Sequence, residues 1–246
     1  MVKFVIDHNK EIINTDIPVD TTELYFGRFY NKQIKENVLP NSIKKIIFGE
    51  SFNQEIKINT LPKNLKYITF SRNYKKKITS QIFTHTLTHI TFTGSYNYKI
   101  VQETLPNSLL SLSFFYNKCE IEPYVLPTSL QYLKLGYNYN YEIKPNVLPD
   151  SLIYLELGGI YSNQVFWTKN ITTLSITGSK ENLILLENLP YTIKKIIFYN
   201  LDTEINNLPF TLETIQLMCW TYSSLDFIKK IPFGCKLIDK YSQEIK

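Results

Sequence analysis

Apolar and polar positions along this chain repeat in units that each open on an apolar-Pro dipeptide or a degenerate form of it, starting at Ile17, Leu39, Leu61, Phe83, Leu105, Leu126, Leu148, Trp167, Leu189 and Leu208. Successive starts lie 22, 22, 22, 22, 21, 22, 19, 22 and 19 residues apart, and Pro fills the second position except at Thr84 and Thr168. Position eight of the unit is always aliphatic: Leu24, Ile46, Ile68, Ile90, Leu112, Leu133, Leu155, Leu174, Ile196 and Ile215. Position ten is Phe26, Phe48, Phe70, Phe92, Phe114, Leu135, Leu157, Ile176, Phe198 and Leu217. Two apolar positions separated by one mostly polar residue share a face of a strand, whereas a helix would space them by three or four. Each unit is therefore predicted to carry one short strand.

Position five adds Ile43, Leu65, Leu87, Leu109, Leu130, Leu152, Ile171, Ile193 and Leu212, with Thr21 as the exception, which completes an L-x-x-L-x-L pattern. Gly27, Gly49, Gly136 and Gly158 follow position ten and are expected to turn the chain out of the strand. The return limb carries an aromatic (Tyr30, Phe52, Tyr74, Tyr96, Tyr139, Tyr161) and then an aliphatic (Ile34, Ile56, Ile78, Ile100, Ile143, Val165), both expected to point inward. Pro, which lacks an N–H, is expected in the extended limb outside the ladder. A unit this short, rich in Asn, Gly and Pro, leaves little room for a helix. The expectation is thus a mainly β, leucine-rich-repeat-like right-handed solenoid of about ten coils of 19–22 residues, with a parallel sheet on one face and an irregular or extended return face. Residues 1–246 read as one domain, with an N-terminal cap at 1–16, repeats over 17–225 and a C-terminal cap at 226–246. Val2, Phe4 and Ile6 alternate like a capping strand, and Ile231-Pro232 with Leu237 and Ile238 reads as a degenerate last turn. The recurring Asn31, Asn53, Asn97 and Asn140 at position fifteen, and Asn73, Asn117 and Asn138 near position thirteen, are expected to bond backbone groups of neighbouring coils.

The unit L-P-x-S-L-x-x-L-x-F-G-x-x-F-N-Q-x-I is matched almost letter for letter by Leu39-Pro40-Asn41-Ser42-Ile43, Ile46, Phe48, Gly49, Phe52-Asn53-Gln54 and Ile56. It closely resembles the FNIP repeat family, a leucine-rich-repeat relative abundant in slime moulds and giant viruses of amoebae, over approximately residues 17–225. The resemblance implies a scaffold for protein interactions with no catalytic residues to transfer. Some members carry an F-box ahead of the repeats; with repeats beginning at Ile17, none is expected here.

Composition adds little chemistry. The net charge of +5 comes from lysines scattered as short pairs and one triplet, Lys75 to Lys77. No apolar run is long enough to span a membrane. The start, Met1 to His8, turns charged before a signal-peptide core could form, so the expected location is cytoplasmic, in the host cytoplasm if the chain is viral. Cys119, Cys219 and Cys235 are odd in number and far apart, which points to free thiols. His85 and His89 have helical ligand spacing but fall on a turn and a strand, where they diverge, so neither metal nor cofactor is expected.

What remains is the outward strand face, positions seven and nine of each unit. Its middle, Tyr67, Thr69, His89, Thr91, Ser111, Ser113, Tyr132, Lys134, Tyr154 and Glu156, is the candidate surface for another protein. Tyr supplies large contact area with little rotamer entropy and a polar tip; the competing structural reason for the same residues is cross-strand pairing. An enzyme is not expected. A nucleic-acid-binding solenoid is the disfavoured alternative, for want of a continuous basic stripe. A solenoid glycosidase would need aligned carboxylates on adjacent strands.

Overall fold

A computed structural model describes residues 1–218 and 226–245. The predicted strands form, joined by one from each cap: β1 (Lys3–Ile6), β2 (Glu23–Phe26), β3 (Lys45–Ile47), β4 (Tyr67–Phe70), β5 (His89–Tyr96), β6 (Ser111–Asn117), β7 (Tyr132–Leu135), β8 (Tyr154–Leu157), β9 (Thr173–Gly178), β10 (Lys195–Leu201), β11 (Thr214–Leu217) and β12 (Lys236–Ile238). They build one sheet in strict sequence order, every pair parallel. The ladder joins equal unit positions: Ile68 to Ile90, Leu112 to Leu133, Leu155 to Leu174. The two 19-residue units keep the register, Tyr154 meeting Thr173 and Lys195 meeting Thr214, because they lose residues from the return limb alone.

Both apolar strand positions are buried in every coil, as are position five and the predicted return-limb residues from Tyr30 and Ile34 to Tyr161 and Val165. Full burial of each such side chain is worth ~1.5–3 kcal/mol, so a coil is stable only against its neighbours. Position ten forms a stacked aromatic column, with ring centroids 5.0 Å apart for Phe26 and Phe48, 4.8 Å for Phe70 and Phe92, and 5.2 Å for Phe92 and Phe114. A second column packs against it from the return limb, Phe52 lying 4.0 Å from Phe48 and Tyr96 4.3 Å from Phe92. The asparagine reading holds at Asn31, Asn53 and Asn140 but not at Asn117, whose Oδ1 accepts from the Cys119 N–H within its own coil. The N–H of Asn53 donates to Asn31 Oδ1, that of Lys75 to Asn53 Oδ1, and that of Ser162 to Asn140 Oδ1. Asn9 starts the same ladder by accepting from the Asn31 N–H.

One local expectation is corrected and two are refined. Proline lies outside the ladder as expected, and it also opens a tight turn just before the strand, its carbonyl accepting from the N–H three residues on, as in Pro40 to Ile43, Pro106 to Leu109 and Pro149 to Leu152. A turn that begins at the Pro carbonyl never asks for the missing N–H. The glycines after the strand do open turns, the carbonyls of Gly27, Gly49 and Gly136 each accepting from the N–H three residues on, and what demands Gly there is also space. A Cβ on Gly49 would stand 2.1 Å from the Gly27 carbonyl oxygen, and one on Gly136 would stand 2.6 Å from Tyr116 Cα. The left-handed backbone falls instead two residues before each of six successive dipeptides, at Asn37, Asn59, Gln81, Glu103, Tyr124 and Asn146. Finally, one return limb is helical, with α1 (Lys180–Leu183) followed by a 3-10 turn over Ile184–Asn188. This limb has no Gly or Pro, and Asn182, Leu185 and Leu186 recur at helical spacing and are buried. Asn182 takes the place of an inward aromatic: its Nδ2 donates to the Gly159 carbonyl at 2.7 Å and its Oδ1 accepts from the Tyr161 N–H at 2.6 Å.

The caps differ in design. β1 continues the ladder onto β2. Beyond β12 the chain turns back, Ile238 pairing antiparallel with Glu244 and the Ile245 N–H donating to the Leu237 carbonyl, which covers the outer edge of the last strand.

Candidate functional site

The ten candidate residues stand in two adjacent rows on one face of the sheet. The ladder sets Tyr67, His89, Ser111, Tyr132 and Tyr154 side by side in one row, and Thr69, Thr91, Ser113, Lys134 and Glu156 in the other. Within the first row the aromatics pair off. Tyr67 stacks on His89 with centroids 4.4 Å apart, and Tyr132 on Tyr154 at 4.5 Å. Ser111 and Ser113 leave the coil between the two stacks low, so the surface is a saddle with an aromatic shoulder on each side. Tyr67 is the most open member, 43% exposed. The ring of His89 is half-buried; burial lowers its pKa, and Nδ1 lies 2.8 Å from Thr88 Oγ1.

Glu156 was expected to project into solvent and does not. It is 2% exposed. Its Oε1 pairs with Lys134 Nζ at 2.6 Å, and its Oε2 accepts from the hydroxyls of Tyr132, Tyr154 and Tyr199 at 3.2, 3.4 and 3.3 Å. The three rings and the lysine stem roof the carboxylate, with the Lys134 ammonium 5.8 Å from the Tyr199 ring centre. Burial, then the Glu156 charge, drives the Tyr132 phenol pKa up and takes that of Tyr199 to about 12; burial also raises that of Tyr154. For Lys134, burial is the largest influence and opposes the charged form, but the Glu156 hydrogen bond and charge, with smaller help from nearby tyrosines, together outweigh it and hold the ammonium above its ordinary value. Glu156 thus positions its neighbours from below, and of the ten candidates it alone is closed to a partner.

Tyr199 was not anticipated. It follows Phe198 on β10, two coils beyond Glu156, and reaches back because that strand continues to Leu201. A partial signal existed, since Lys134 and Glu156 share position nine of adjacent units and so face each other across strands.

The remaining chemistry is sparse. Glu23 and Glu156, the face's two carboxylates, lie on β2 and β8, so no pair sits on adjacent strands. His85 is exposed on the turn before β5, away from His89 in the ladder. Among the described residues no cluster of His, Cys, Asp or Glu could hold a metal, and no helix is long and apolar enough to cross a membrane. Cys119 and Cys235 are free, half-buried thiols with pKa values raised by burial; Cys219 lies outside the described residues.

Two solved structures are similar to this chain. The solved structure described as CroV588, a novel circular LRR protein, is 28% identical, with a TM-score of 0.63 over 96% of this chain and 42% of that one. YopM from Yersinia enterocolitica WA-314 is 18% identical, with a TM-score of 0.48 over 96% of this chain and 55% of that one. The chain therefore spans less than half the length of the circular protein. No curated protein matches significantly. The family model of the FNIP repeat matches residues 8–51, 52–92, 76–117 and 116–159. The matches end at residue 159 while the coils run on to β12; of the later units one has lost the Pro, at Thr168, and the one opening at Leu189 is shortened to 19 residues. With repeats matched over more than half its length, the chain belongs to the FNIP repeat family.

Proposed function

We propose that this chain is a non-catalytic solenoid that binds another protein on the saddle of its sheet face. Tyr67 and His89 form one shoulder, Tyr132 and Tyr154 the other, and Ser111 and Ser113 the floor. The supporting observation is the pair of pre-stacked aromatic shoulders, whose orientations are already set by ring packing and, at Tyr132 and Tyr154, by Glu156. Side chains ordered before contact lose little entropy on binding, and rigid aromatics flanking small polar residues suit a protruding segment of a partner. Repeat solenoids commonly present such extended faces to proteins, which is support by analogy of fold.

Replacing Tyr132 and Tyr154 with Ala is a poor test, because it also strips two donors from a buried carboxylate. Ser111→Arg fills the floor, and Tyr67→Ala removes the most open anchor, without entering the core. The reading expects each to abolish recovery of a partner that the wild-type chain retains in affinity capture, with an unchanged thermal melt. Recovery of the same partners by both variants would overturn it.

A further inference from the structure

The modest net charge conceals a concentration. Residues 39–82, two coils, hold nine Lys or Arg against two Glu, while the rest of the chain holds eighteen against twenty. Elsewhere ten of the cations lie within ion-pair distance of a carboxylate: Lys3, Arg28, Lys35, Lys99, Lys134, Lys144, Lys169, Lys194, Lys229 and Lys236. None of the nine in these two coils does so among the described residues. An excess of unpaired charge on one part of a surface raises self-repulsion, and it is relieved when a partner of opposite sign arrives.

Four of the nine share the side of the sheet where the chain enters its strands. Lys44 and Lys66 occupy position six of adjacent coils and stack in register, the Lys66 N–H donating to the Lys44 carbonyl. Lys45 sits one residue on, at the start of β3, and Lys63 precedes the strand of the next coil, its N–H bonded to Asn41 Oδ1. Lys44, Lys45 and Tyr67 line a groove of about 540 Å³, and Lys63 and His85 line a second of about 600 Å³ with Leu39, Leu61 and Phe83 in its wall. The positive groups thus border concave surface that has apolar footing.

We propose that this basic side of residues 39–82 docks an acidic, Asp/Glu-rich segment of a partner protein, with Lys44, Lys45, Lys63 and Lys66 as its counter-charges. The patch spans only two coils, on the order of 10 Å along the axis at the spacing of paired strands. A nucleic-acid backbone needs a track of cations that continues. Here the next coils offer Thr22 on one side and Thr88 on the other at position six, and Glu23 bounds the first groove. A short cluster of carboxylates fits that extent. The first groove borders the saddle at Tyr67, but the four lysines lie outside the saddle; the basic site stands whether or not the saddle binds, and Ser111→Arg, which blocks the saddle floor, should leave peptide binding unchanged.

The test uses the full chain and a fluorescently labelled oligoglutamate peptide, followed by anisotropy. Wild type is expected to bind it with an affinity that falls steeply as salt rises. Lys44→Glu with Lys66→Glu should weaken binding by about tenfold or more, since reversed charges at a contact repel. Lys118→Glu with Lys230→Glu makes the same change in net charge on exposed lysines of distant coils and should leave binding unchanged. Matching thermal melts establish that the variants fold. The proposal is overturned if wild type fails to bind at low salt or if both double variants lose affinity equally. It is overturned too if an oligothymidylate of equal charge binds more tightly than the peptide through the same lysines.

Discussion

Replacing Lys134 with Met removes the cation from a carboxylate that water scarcely reaches. Glu156 is 2% exposed and the lysine side chain 21%, with 2.6 Å between the charged atoms. Deleting one partner of a buried ion pair typically costs ~3–5 kcal/mol, because the surviving charge is stranded. The three phenols still donate to Glu156 at 3.2 to 3.4 Å and offset part of that. The expected loss is therefore about 3 kcal/mol, at the lower end. Glu156→Gln keeps the shape and the acceptor, and leaves an ammonium able to turn toward solvent, so it should cost about 1–2 kcal/mol. Combining the two leaves no stranded charge, and the double variant should be more stable than Lys134→Met alone. Urea denaturation of the three variants, read as a double-mutant cycle, measures the coupling. Additive losses, or a Lys134→Met cost below about 1 kcal/mol, would refute the claim that this pair is buried and mutually dependent.

Phe70→Ala and Leu112→Ala should each cost roughly 2–5 kcal/mol in chemical denaturation by opening cavities in a closed core; both side chains are fully buried, and losses under half a kcal/mol, ~0.5, would place them elsewhere. Base should unfold the protein through its tyrosines. Burial holds the phenols of Tyr30, Tyr96, Tyr139 and Tyr199 up at about 12, which favours the protonated form in the folded state. The stability they contribute is intact below the ordinary phenol value of ~10 and is lost as pH rises through about 12. Phenolate absorbance from the buried set should thus rise only together with loss of the β-sheet circular dichroism signal. A single phase near pH ~10 with the sheet intact would contradict the burial.

The strands and the core were legible because one constraint repeats: a side chain at position eight or ten is enclosed by its own counterparts in the coils on either side. Ten copies of Leu24 and Phe26 in register make that visible without any tertiary information. The backbone devices were not. The left-handed residue ahead of each dipeptide is filled by Asn three times but also by Gln, Glu and Tyr, so side-chain identity marks it only in part. The glycines were noticed and their turns expected, but the close approach of stacked backbones leaves the same residue type as a turn and so stayed hidden behind it. Tyr199 escaped because it acts across two coils, beyond the nearest-neighbour logic that made the rest readable. With Lys134 and the stacked tyrosines it turned Glu156, an outward residue by period, into an enclosed one.

The ladder treats a whole coil as interchangeable with the next, and this bears on how such a chain changes over generations. A duplicated or lost unit of 22 residues would meet its new neighbour with the same rungs and the same Asn bond, lengthening or shortening the protein by one step of ~4.8 Å. A gain or loss of a single residue within a strand would instead reverse every side chain after it. The two 19-residue units mark where smaller changes are survivable, because the residues they lack come from the return limb and the sheet continues across them undisturbed.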